Sequence, residues 1–467
     1  MKEEKSAAAL LQEKLTDKPK NSYDTMSEME IDKAVSFCEG YKSFLDSAKT
    51  EREAVDAIVE LLSAKGYKEF TLGTKYAPGE KVYYNNRGKA LICATIGTEP
   101  MDQGVLIAAS HIDSPRLDLK PRPVYEDNEL ALFKTHYYGG IKKYQWTAIP
   151  LALHGVVVKK DGETVKVRIG EEDGDPVFCV TDLLPHLATE QSKRTLSEGV
   201  KGEELNILIG SRPFKDDKLS EKVKLGILAL LHEKYGMVEG DFLSAELTMV
   251  PAFKAKDLGL DRSMVGAYGH DDRVCAYTSL MATLDCPAPK KTSVVIFADK
   301  EETGSEGNTG LDSCFLKYFI ADLAAPYGVE GRTVLQHSQC LSADVNVAFD
   351  PTFPDVVEKR NTAYLNYGVV VTKYTGARGK SSTSDASAEF MGKVRSILDN
   401  AGVAWQTGEL GKVDFGGGGT VAKYIASLSV DVVDVGVPVL SMHAPFEVVA
   451  KNDVYETYRA FYAFLNQ

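Results

Sequence analysis

Five short segments of this 467-residue chain each place an acidic residue or a histidine close behind a run of apolar residues. They read ASHIDSP, GHDDR, ADKEETGS, SADVNVAFDP and SMHAPFE. Apolar runs that end at turn residues are typical of buried strands, and ligands bind at the carboxyl ends of strands in open α/β sheets. One such sheet would gather the polar side chains of all five segments, which are His111, Asp113, Asp271, Asp272, Glu301, Glu302, Asp344 and His443.

Strand and helix patterns alternate towards both ends of the chain, whereas the middle is different. From about residue 123 to 249, short alternating runs are separated by the turn signals DGE and EDGDP, with polar helical stretches at 183–192 and 220–235. Alternation of strands and helices favours a largely parallel sheet with helices on both faces. We therefore predict an α/β fold, a mixed, largely parallel sheet flanked by helices, formed by residues 1–122 and 250–467 and interrupted by a β-rich domain at 123–249.

The charge of the chain limits its partners. Its 67 acidic residues outnumber its 54 lysines and arginines, which gives a formal net charge of −13. Nucleic acid or an anionic membrane would favour a clustered excess of basic residues, so neither is expected as a partner. No run of about 18 apolar residues could span a bilayer, and the N-terminus lacks a signal-like apolar stretch. Seven cysteines without a CxxC pair fit a reducing compartment, and we expect a cytoplasmic protein.

The segments HID and GHDD each allow two interpretations. His111 and Asp113 alternate with Ile112 across a strand end, so both point to one face, where one can bind a metal and the other can orient it. The alternative for a buried histidine is a hydrogen bond to a backbone carbonyl. Asp271 and Asp272 precede an apolar helix, either as an N-cap pair or as carboxylates that bridge two cations.

The remaining segments also follow predicted strands. Glu301 and Glu302 come after VVIFAD, where consecutive carboxylates are costly unless a cation or a proton compensates them. Glu302 could bind a metal while Glu301 acts as a general base with a raised pKa; two solvated loop glutamates are the alternative. Asp344 is predicted to be a buried acid that needs a partner, and its rival Asp350 looks like a turn starter. His443 ends the apolar run VGVPVLSM.

The donor types in these segments indicate which metals fit. Two imidazoles and three carboxylates without a thiolate suit Zn, Mn or Co, and they suit neither a cysteine-rich structural zinc site nor an all-oxygen calcium site. HEKYG lacks the second histidine of a zincin, and FGGGGT is either a close backbone approach to a ligand or a flexible turn. Five further histidines have no consistent carboxylate neighbours and are expected to be structural: His136, His154, His186, His232 and His337.

Taken together, HIDSP, DD before a helix, EETGS after a strand, SAD, SMH with Glu447 and the GGGGT run resemble the M18 family of metalloaminopeptidases, the aspartyl aminopeptidase group. The resemblance covers nearly the whole chain in order. It implies a zinc-peptidase fold with two divalent metal ions, zinc first and Co or Mn as alternatives. By position it implies five ligands: Asp271 bridging both ions, His111 and Asp344 on one ion, and Glu302 and His443 on the other.

The resemblance also implies a reaction, the removal of N-terminal residues from peptides. A water held between the two ions would attack the first peptide carbonyl after Glu301 takes its proton, while Asp113 orients His111. One ion would receive the free α-amino group of the substrate. The peptide bond between Asp271 and Asp272 is expected to be cis, although most family members have Asn at the second position.

Substrate choice and assembly follow from the same resemblance. Lys373 lies near the place where acid-specific members hold a lysine that pairs with the substrate, with Arg378 and Lys380 as rivals. A preference for Asp or Glu is expected, and a neutral residue such as leucine is the alternative. A homo-oligomer, a dodecamer formed through the inserted domain, is also implied. Two other functions stay open: a non-catalytic assembly or cargo protein with structural metals, and a carboxypeptidase or deacylase of the same clan.

Overall fold

The fold is described by a computed structural model that covers residues 5–216 and 218–467. The helices are α1 (Ala7–Leu15), α2 (Glu28–Ser47), α3 (Glu51–Ala64), α4 (Lys222–Tyr235), α5 (His270–Asp285), α6 (Phe315–Ala324), α7 (Gly331–Gln336), α8 (Ala388–Ala401), α9 (Ala422–Ala426) and α10 (Lys451–Leu465). The strands are β1 (Lys68–Glu69), β2 (Lys81–Asn86), β3 (Ala90–Thr95), β4 (Leu106–His111), β5 (Arg116–Asp127), β6 (Leu130–Tyr138), β7 (Leu151–Val158), β8 (Thr164–Ile169), β9 (Cys179–Val180), β10 (Ile207–Gly210), β11 (Ala245–Pro251), β12 (Lys256–Leu258), β13 (Met264–Ala267), β14 (Ser293–Ala298), β15 (Gln339–Ser342), β16 (Asn346–Val347), β17 (Val369–Thr372), β18 (Trp405–Thr407), β19 (Asp431–Gly436), β20 (Pro438–Leu440) and β21 (Glu447–Ala450). None of the helices described in these two ranges is long and apolar enough to cross a lipid bilayer.

A first sheet of nine strands, in the order β1-β2-β3-β14-β4-β15-β19-β17-β18, carries three of the five predicted ligand segments, those after β4, β14 and β15. Its central neighbours β14, β4, β15 and β19 are parallel to one another, whereas β3 and β17 introduce antiparallel pairs. Every residue of β3, β4 and β14 is buried, as expected for strands that are covered on both faces. The predicted α/β class with a mixed, largely parallel sheet is confirmed.

Helices cover both faces of the first sheet through two apolar cores. Residues of α2, α3, α5, α8 and α10 pack on one face, and residues of α6, α7 and α9 pack on the other. Helix α3 begins where Thr50 and Glu53 form a capping box that satisfies backbone N–H groups of the first turn. Val55, Ile58 and Leu62 then recur at helical spacing on the buried side, which holds this helix against the sheet.

Residues between Arg116 and Pro251 form a second sheet of seven antiparallel strands, in the order β8-β7-β11-β5-β6-β10-β9. It has its own apolar core around Trp146 and Phe133. The predicted boundaries at 123 and 249 fall inside β5 and β11. The predicted helix at 183–192 is wrong: that stretch forms only two short 3-10 turns, because its leucines are exposed and no apolar face holds a helix against the core.

A third sheet, which the sequence patterns did not predict, has five short strands in the order β12-β13-β21-β20-β16. Strand β21 runs antiparallel to both β13 and β20, and β20 pairs with β16 in parallel. These strands are two to four residues long, too short to show a clear alternation of apolar and polar residues. The sheet positions two ligand segments, because β13 leads into GHDDR while β20 and β21 flank SMHAPFE.

Contacts between charged and imidazole side chains join α3 and Lys49, two residues before it, to the second sheet and the segment after β8. His154 of β7 is fully buried, with Nδ1 2.8 Å from Oε1 of Glu53 and Nε2 3.4 Å from Oε2 of Glu171. Lys49 pairs with the same Glu171 at 2.8 Å. Its sequence segment offers His154 no carboxylate neighbour, and the fold supplies two: Glu171 follows β8, which pairs with β7, and Glu53 comes from α3.

Candidate metal centre

The predicted ligand segments meet at one edge of the first sheet. Strands β14, β4 and β15 are adjacent and parallel, so their carboxyl ends lie side by side. The polar residues at and just after these ends are Glu301 and Glu302, His111 and Asp113, and Asp344. The third sheet adds Asp271 shortly after β13 and His443 shortly after β20.

Asp271 lies between the two histidines. Its Oδ1 is 3.1 Å from Nε2 of His111, and its Oδ2 is 3.1 Å from Nε2 of His443. Nε2 of His443 is also 3.6 Å from Oε2 of Glu302, and Nε2 of His111 is 3.8 Å from Oδ1 of Asp344. The structure thus brings the five residues predicted as metal ligands into one cluster, with a carboxylate at its centre that offers one oxygen to each side.

Glu301 lies at the edge of this cluster. Its Oε2 is 4.0 Å from Nε2 of His111, farther away than the nearest oxygens of Asp271 and Asp344. Two sets of three ligand atoms lie within 4.8 Å of one another: one comes from His111, Asp271 and Glu302, and the other from His111, Glu301 and Asp344. These distances are compatible with Glu301 as a ligand as well as a base, and metal analysis of a variant separates the two roles.

Asp113 supports the turn that carries both glutamates. Its Oδ1 accepts a hydrogen bond of 3.2 Å from the backbone N–H of Glu301, and its Oδ2 accepts one of 3.2 Å from the N–H of Glu302. Nδ1 of His111 lies 3.0 Å from the backbone carbonyl oxygen of Asp113 and can donate to it. A histidine that donates through Nδ1 leaves Nε2 free to bind a cation, so this contact is compatible with the predicted role of Asp113 in orienting His111.

The second sheet makes two contacts with the centre that sequence analysis missed. The hydroxyl of Tyr138, the last residue of β6, donates a hydrogen bond of 2.8 Å to Oδ2 of Asp113. The backbone carbonyl of Gly140 lies 2.8 Å from Nδ1 of His443 and can accept from it. A Cβ on Gly140 would lie only 3.3 Å from that nitrogen, so the glycine permits this close approach. The paired glycines of YYGG were the one sequence signal for it.

Glu447, the last residue of SMHAPFE, is a further buried acid beside the centre, and no role is predicted for it from the sequence. Its Oε1 accepts a hydrogen bond of 2.7 Å from the backbone N–H of His443. Its Oε2 accepts one of 3.1 Å from the backbone N–H of Asp271. Glu447 thus contacts the main chain of two predicted ligands without being one itself.

Burial and crowding shift the pKa values of this cluster. Burial raises the pKa of Glu302 well above its ordinary value, and the negative charge of Asp271 adds to the rise. Burial also raises the pKa of Glu301 to about 8. Burial opposes protonation of His443, but Asp271 and Glu302 outweigh it and raise the pKa of this histidine to about 10. Asp271 itself has a lowered pKa, because its hydrogen bonds to both histidines outweigh its burial.

The donor set fits divalent cations. Its buried carboxylates repel one another, and among residues 5–216 and 218–467 no lysine or arginine forms an ion pair with any of the five predicted ligands. Oε1 of Glu302 is buried and has no hydrogen-bond partner in the described part of the chain. A bound cation would satisfy this oxygen and relieve the repulsion. Imidazole and carboxylate donors without a thiolate are acceptable to zinc, manganese and cobalt.

Two further acids of the ligand segments, Asp272 and Asp350, are not among the five predicted ligands. The peptide bond between Asp271 and Asp272 is cis, as the family resemblance implies, and both residues depart from helical backbone angles at the start of α5. The carboxyl of Asp272 is buried, and burial together with the charge of Asp344 raises its pKa well above the ordinary value. Asp350 accepts a hydrogen bond from the backbone N–H of Thr352 at 2.8 Å, as expected for a turn starter.

Lys373, the predicted substrate-binding residue, directly follows β17. Its ammonium group pairs with Asp385, which also accepts a hydrogen bond of 2.9 Å from Lys380. The ammonium of Lys380 lies 3.7 Å from the ring centroid of Tyr374. The described contacts do not connect Lys373 with the metal ligands, so its role in substrate binding stays a prediction.

The glycine run FGGGGT packs closely against the loop that follows Lys373. The backbone N–H of Gly376 donates a hydrogen bond of 2.6 Å to the carbonyl of Gly418. Gly417 has a φ of +111°, and a Cβ there would lie 1.9 Å from the carbonyl oxygen of Gly376. Thr420 then donates a hydrogen bond of 2.8 Å to Asp434 of β19. The run is therefore a close backbone contact between loops and is tied to the first sheet.

The known proteins with similar sequences and structures belong to one family. A family profile described as "Aminopeptidase I zinc metalloprotease (M18)" matches residues 44–465. A "Probable M18 family aminopeptidase 1" from Clostridium acetobutylicum is 50% identical over 455 residues, which cover 96% of this chain and 98% of that protein. The crystal structure of an M18 family aminopeptidase from Thermotoga maritima superposes with a TM-score of 0.92 at 44% identity, covering 97% of this chain and 100% of that chain. The mApe1 dodecamer from S. cerevisiae shares the fold at 22% identity, with a TM-score of 0.74 and coverage of 93% of this chain and 96% of that chain.

Proposed function

This chain belongs to the M18 family of zinc metallopeptidases and is an aminopeptidase, and we propose that it works with two divalent ions held by five side chains. The observation that supports two ions is the position of Asp271, whose two carboxylate oxygens each lie 3.1 Å from a different histidine. We propose that Asp271 is shared between the ions. His111 and Asp344 would complete one site, and Glu302 and His443 would complete the other.

We propose zinc as the native metal, because the family is one of zinc peptidases and the donor set has the imidazoles and carboxylates of catalytic zinc sites. When bound, the ions would supply Lewis acidity, which lowers the pKa of a water molecule and polarises a carbonyl group. Manganese and cobalt accept the same donors. The chain itself supplies the geometry of the donors and the groups that move protons.

Glu301 is the proposed proton carrier. Its carboxylate faces the cluster, with Oε2 4.0 Å from Nε2 of His111, and burial raises its pKa to about 8. A group whose pKa lies near the working pH can take a proton from water and then give it to the leaving amine. A site that holds metals only for structure has no need of this additional acid, so its presence argues against a non-catalytic assembly protein.

Asp113 and Tyr138 would keep this proton carrier in place. Asp113 accepts the backbone N–H groups of Glu301 and Glu302, and the hydroxyl of Tyr138 donates to the same Asp113. Reaction rates depend steeply on the distance between the base and the reacting water, so a fixed turn favours proton transfer. The second sheet would therefore take part in catalysis through Tyr138.

We further propose a preference for an acidic N-terminal residue. Lys373 and Lys380 share one carboxylate, that of Asp385, which leaves this cluster with one unit of positive charge. A substrate carboxylate could neutralise that charge, whereas a leucine side chain could not. The glycine run packs against the loop between these two lysines and would fix where they lie.

We also propose that the protein forms a homo-oligomer through its second sheet and α4. Only Val223 of α4 is buried, and Leu230 of the same helix is 62% exposed. An apolar groove of about 550 Å³ lies between α4 and the sheet, lined in part by Leu208, Ile227 and Leu231. Contiguous exposed apolar surface of this kind marks protein interfaces. The S. cerevisiae relative is described as a dodecamer, which supports twelve copies as the proposed assembly.

A substrate panel with defined metal content tests these proposals. Purified protein loaded with zinc, manganese or cobalt would be assayed on Asp-, Glu- and Leu-nitroanilides and on peptides with free or acetylated N-termini. We expect two metal equivalents per chain, release of N-terminal residues, faster turnover of the acidic substrates, and no cleavage of acetylated peptides. Activity of protein that holds only one metal equivalent per chain would contradict the two-ion site. Cleavage from the C-terminus or of the acetyl group would support a carboxypeptidase or a deacylase instead.

A further inference from the structure

The carboxylate of Glu447 joins two main-chain segments that carry predicted ligands. Its Oε1 accepts the backbone N–H of His443 at 2.7 Å, and its Oε2 accepts the backbone N–H of Asp271 at 3.1 Å. The side chain is buried, with 1% of its surface exposed. Both oxygens thus accept hydrogen bonds from main-chain N–H groups. These groups belong to His443 and Asp271, two predicted ligands whose side chains are 3.1 Å apart.

The third sheet explains why Glu447 reaches both segments. It is the first residue of β21 and stands opposite Ala267 of β13, four residues before Asp271. Strand β21 also pairs with β20, and the short connection between these two strands contains His443. Glu447 therefore occupies the point where the two ligand segments leave the same sheet, and its side chain can bridge them.

The backbone of His443 depends on such support. Its φ is +65°, in the left-handed region that residues other than glycine enter at a cost. Asp113 provides a parallel within the same site, because it accepts two successive N–H groups just after Lys300, which also has a left-handed φ of +66°. Asp113 thus holds one turn through two main-chain hydrogen bonds, whereas Glu447 spends one bond on the left-handed His443 and the other on Asp271.

We propose that Glu447 is a positioning residue that sets the separation between Asp271 and His443, and thereby the affinity of the proposed metal site that they share. This inference rests on the proposed two-metal function. Main-chain supports act on metal affinity because they fix the direction of the ligand atoms before the metal arrives. Glu447 contacts neither substrate nor metal in this role, so the predicted effect appears first in metal retention.

Glutamine is the informative replacement, because it has nearly the same shape as glutamate but offers only one acceptor oxygen. In Glu447→Gln the amide NH₂ group would face one of the two backbone N–H groups, so that two donors meet and one hydrogen bond is lost. Second-sphere losses of this kind typically weaken metal binding by about 10-fold to 100-fold. Glu447→Asp, which is one methylene shorter, would keep at most one of the two bonds and should also weaken binding.

Asp453 offers a matched control, because its hydrogen bonds go to main-chain groups of Asn366 and Gly368 and not to those of the predicted ligands. It is also fully buried, and its two oxygens accept the backbone N–H groups of Asn366 and Gly368 at 2.7 Å each. Asp453→Asn therefore makes the same chemical change to the same kind of main-chain support. It should lower thermal stability without changing metal affinity.

The test is metal retention by zinc-loaded protein during titration with a chromophoric chelator, with bound zinc counted by mass spectrometry. We expect Glu447→Gln to release one zinc equivalent at about 10-fold to 100-fold lower chelator than the wild type or Asp453→Asn. Retention equal to the wild type, or equal loss in Asp453→Asn, would overturn the role of Glu447. If Glu447→Gln does not fold, Glu447→Asp is judged by the same two criteria. Failure of the wild type to bind two equivalents would instead overturn the two-metal proposal.

Discussion

The hydroxyl of Tyr138 donates a hydrogen bond of 2.8 Å to Oδ2 of Asp113. Tyr138 ends a strand of the second sheet, whereas Asp113 follows a strand of the first, so this bond joins the two sheets at the proposed metal centre. The guanidinium of Arg116 lies 4.2 Å from the centroid of the Tyr138 ring and packs against it. The turn that carries Glu301 therefore depends on a residue outside the first sheet.

Tyr138→Phe should reduce kcat/KM by about 10-fold to 100-fold, because Asp113 loses a charge-assisted hydrogen bond and holds the glutamate turn less firmly. The measurement is steady-state hydrolysis of an aminoacyl-nitroanilide at saturating metal. Tyr137→Phe is the matched control. The side chain of Tyr137 is 41% exposed, and its hydroxyl forms no hydrogen bond within the described part of the chain. Equal losses in the two variants would contradict a specific role for Tyr138.

Glu301→Gln should lower kcat by about 100-fold to 10,000-fold while leaving two metal equivalents in place, because the amide cannot accept the proton from water. Elemental analysis of the purified variant measures the metal. Glu302→Gln is the comparison, and it should lose metal together with activity, since Glu302 is a proposed ligand. Loss of metal in Glu301→Gln would assign Glu301 to the ligand group that its distance to His111 also permits.

The metal-free protein should lose thermal stability as the pH rises from about 5 to about 8. Burial raises the pKa of Glu301 from 4.5 to about 8, so its folded carboxyl favours the protonated form. The stability that this group contributes is complete below pH 4.5 and disappears as the pH passes through about 8. The lowered pKa of Asp271 acts only below its ordinary value of 3.8, outside this range.

Thermal unfolding in chelator and in zinc measures this pH dependence. Zinc should remove most of the decline, because a bound cation takes the place of the protons in the cluster. The increase in melting temperature on adding zinc should therefore be larger at pH 8 than at pH 5. A melting temperature of the metal-free protein that rises over this range would contradict the predicted sign.

Lys373→Met should lower kcat/KM for Asp and Glu substrates by at least about 10-fold and leave Leu substrates nearly unchanged, because a charge-assisted contact is worth roughly 1.5–3 kcal/mol. Asp385→Asn should act in the opposite direction, since it removes the carboxylate that neutralises Lys373 and Lys380. The ratio of kcat/KM for Asp-nitroanilide and Leu-nitroanilide measures both effects. Parallel changes with the two substrates would exclude this lysine pair from specificity.

Leu230→Asp should dissociate the proposed oligomer, because a charge would enter the apolar surface of α4. Light scattering coupled to size-exclusion chromatography measures the mass of the assembly. Leu72→Asp is the matched control, since Leu72 is also highly exposed, at 72%, but lies outside the second sheet and α4. A Leu230 variant with the same mass as the wild type would contradict an interface on this face.

The candidate ligands could be predicted from the sequence because the residues around each of them indicate its position in the fold. An apolar run followed by a polar residue marks the end of a buried strand, and a buried acid or histidine there needs a partner. His111, Glu302 and Asp344 follow this pattern, and their strands β4, β14 and β15 are neighbours in the first sheet. Helix α3 could be predicted in the same way, since the spacing of its apolar residues and its polar first turn lie within one segment.

The supports of the site could not be found in this way. Tyr138 and Asp113 are 25 residues apart, and His443 meets the carbonyl of Gly140 across 303 residues. The third sheet, which carries Glu447, consists of strands too short to show a period. Such contacts depend on how separate sheets pack, and no pattern within a segment contains that information.

Local sequence thus specified the residue types at the strand ends and the class of chemistry they permit, because burial of apolar runs and the cost of buried charge act within each segment. Packing of the three sheets specified which oxygen of Asp271 meets which histidine, and which buried carboxylates hold the ligand turns. These distances arise only when residues far apart in the chain are brought together, since hydrogen bonds require their partners within about 3 Å of each other.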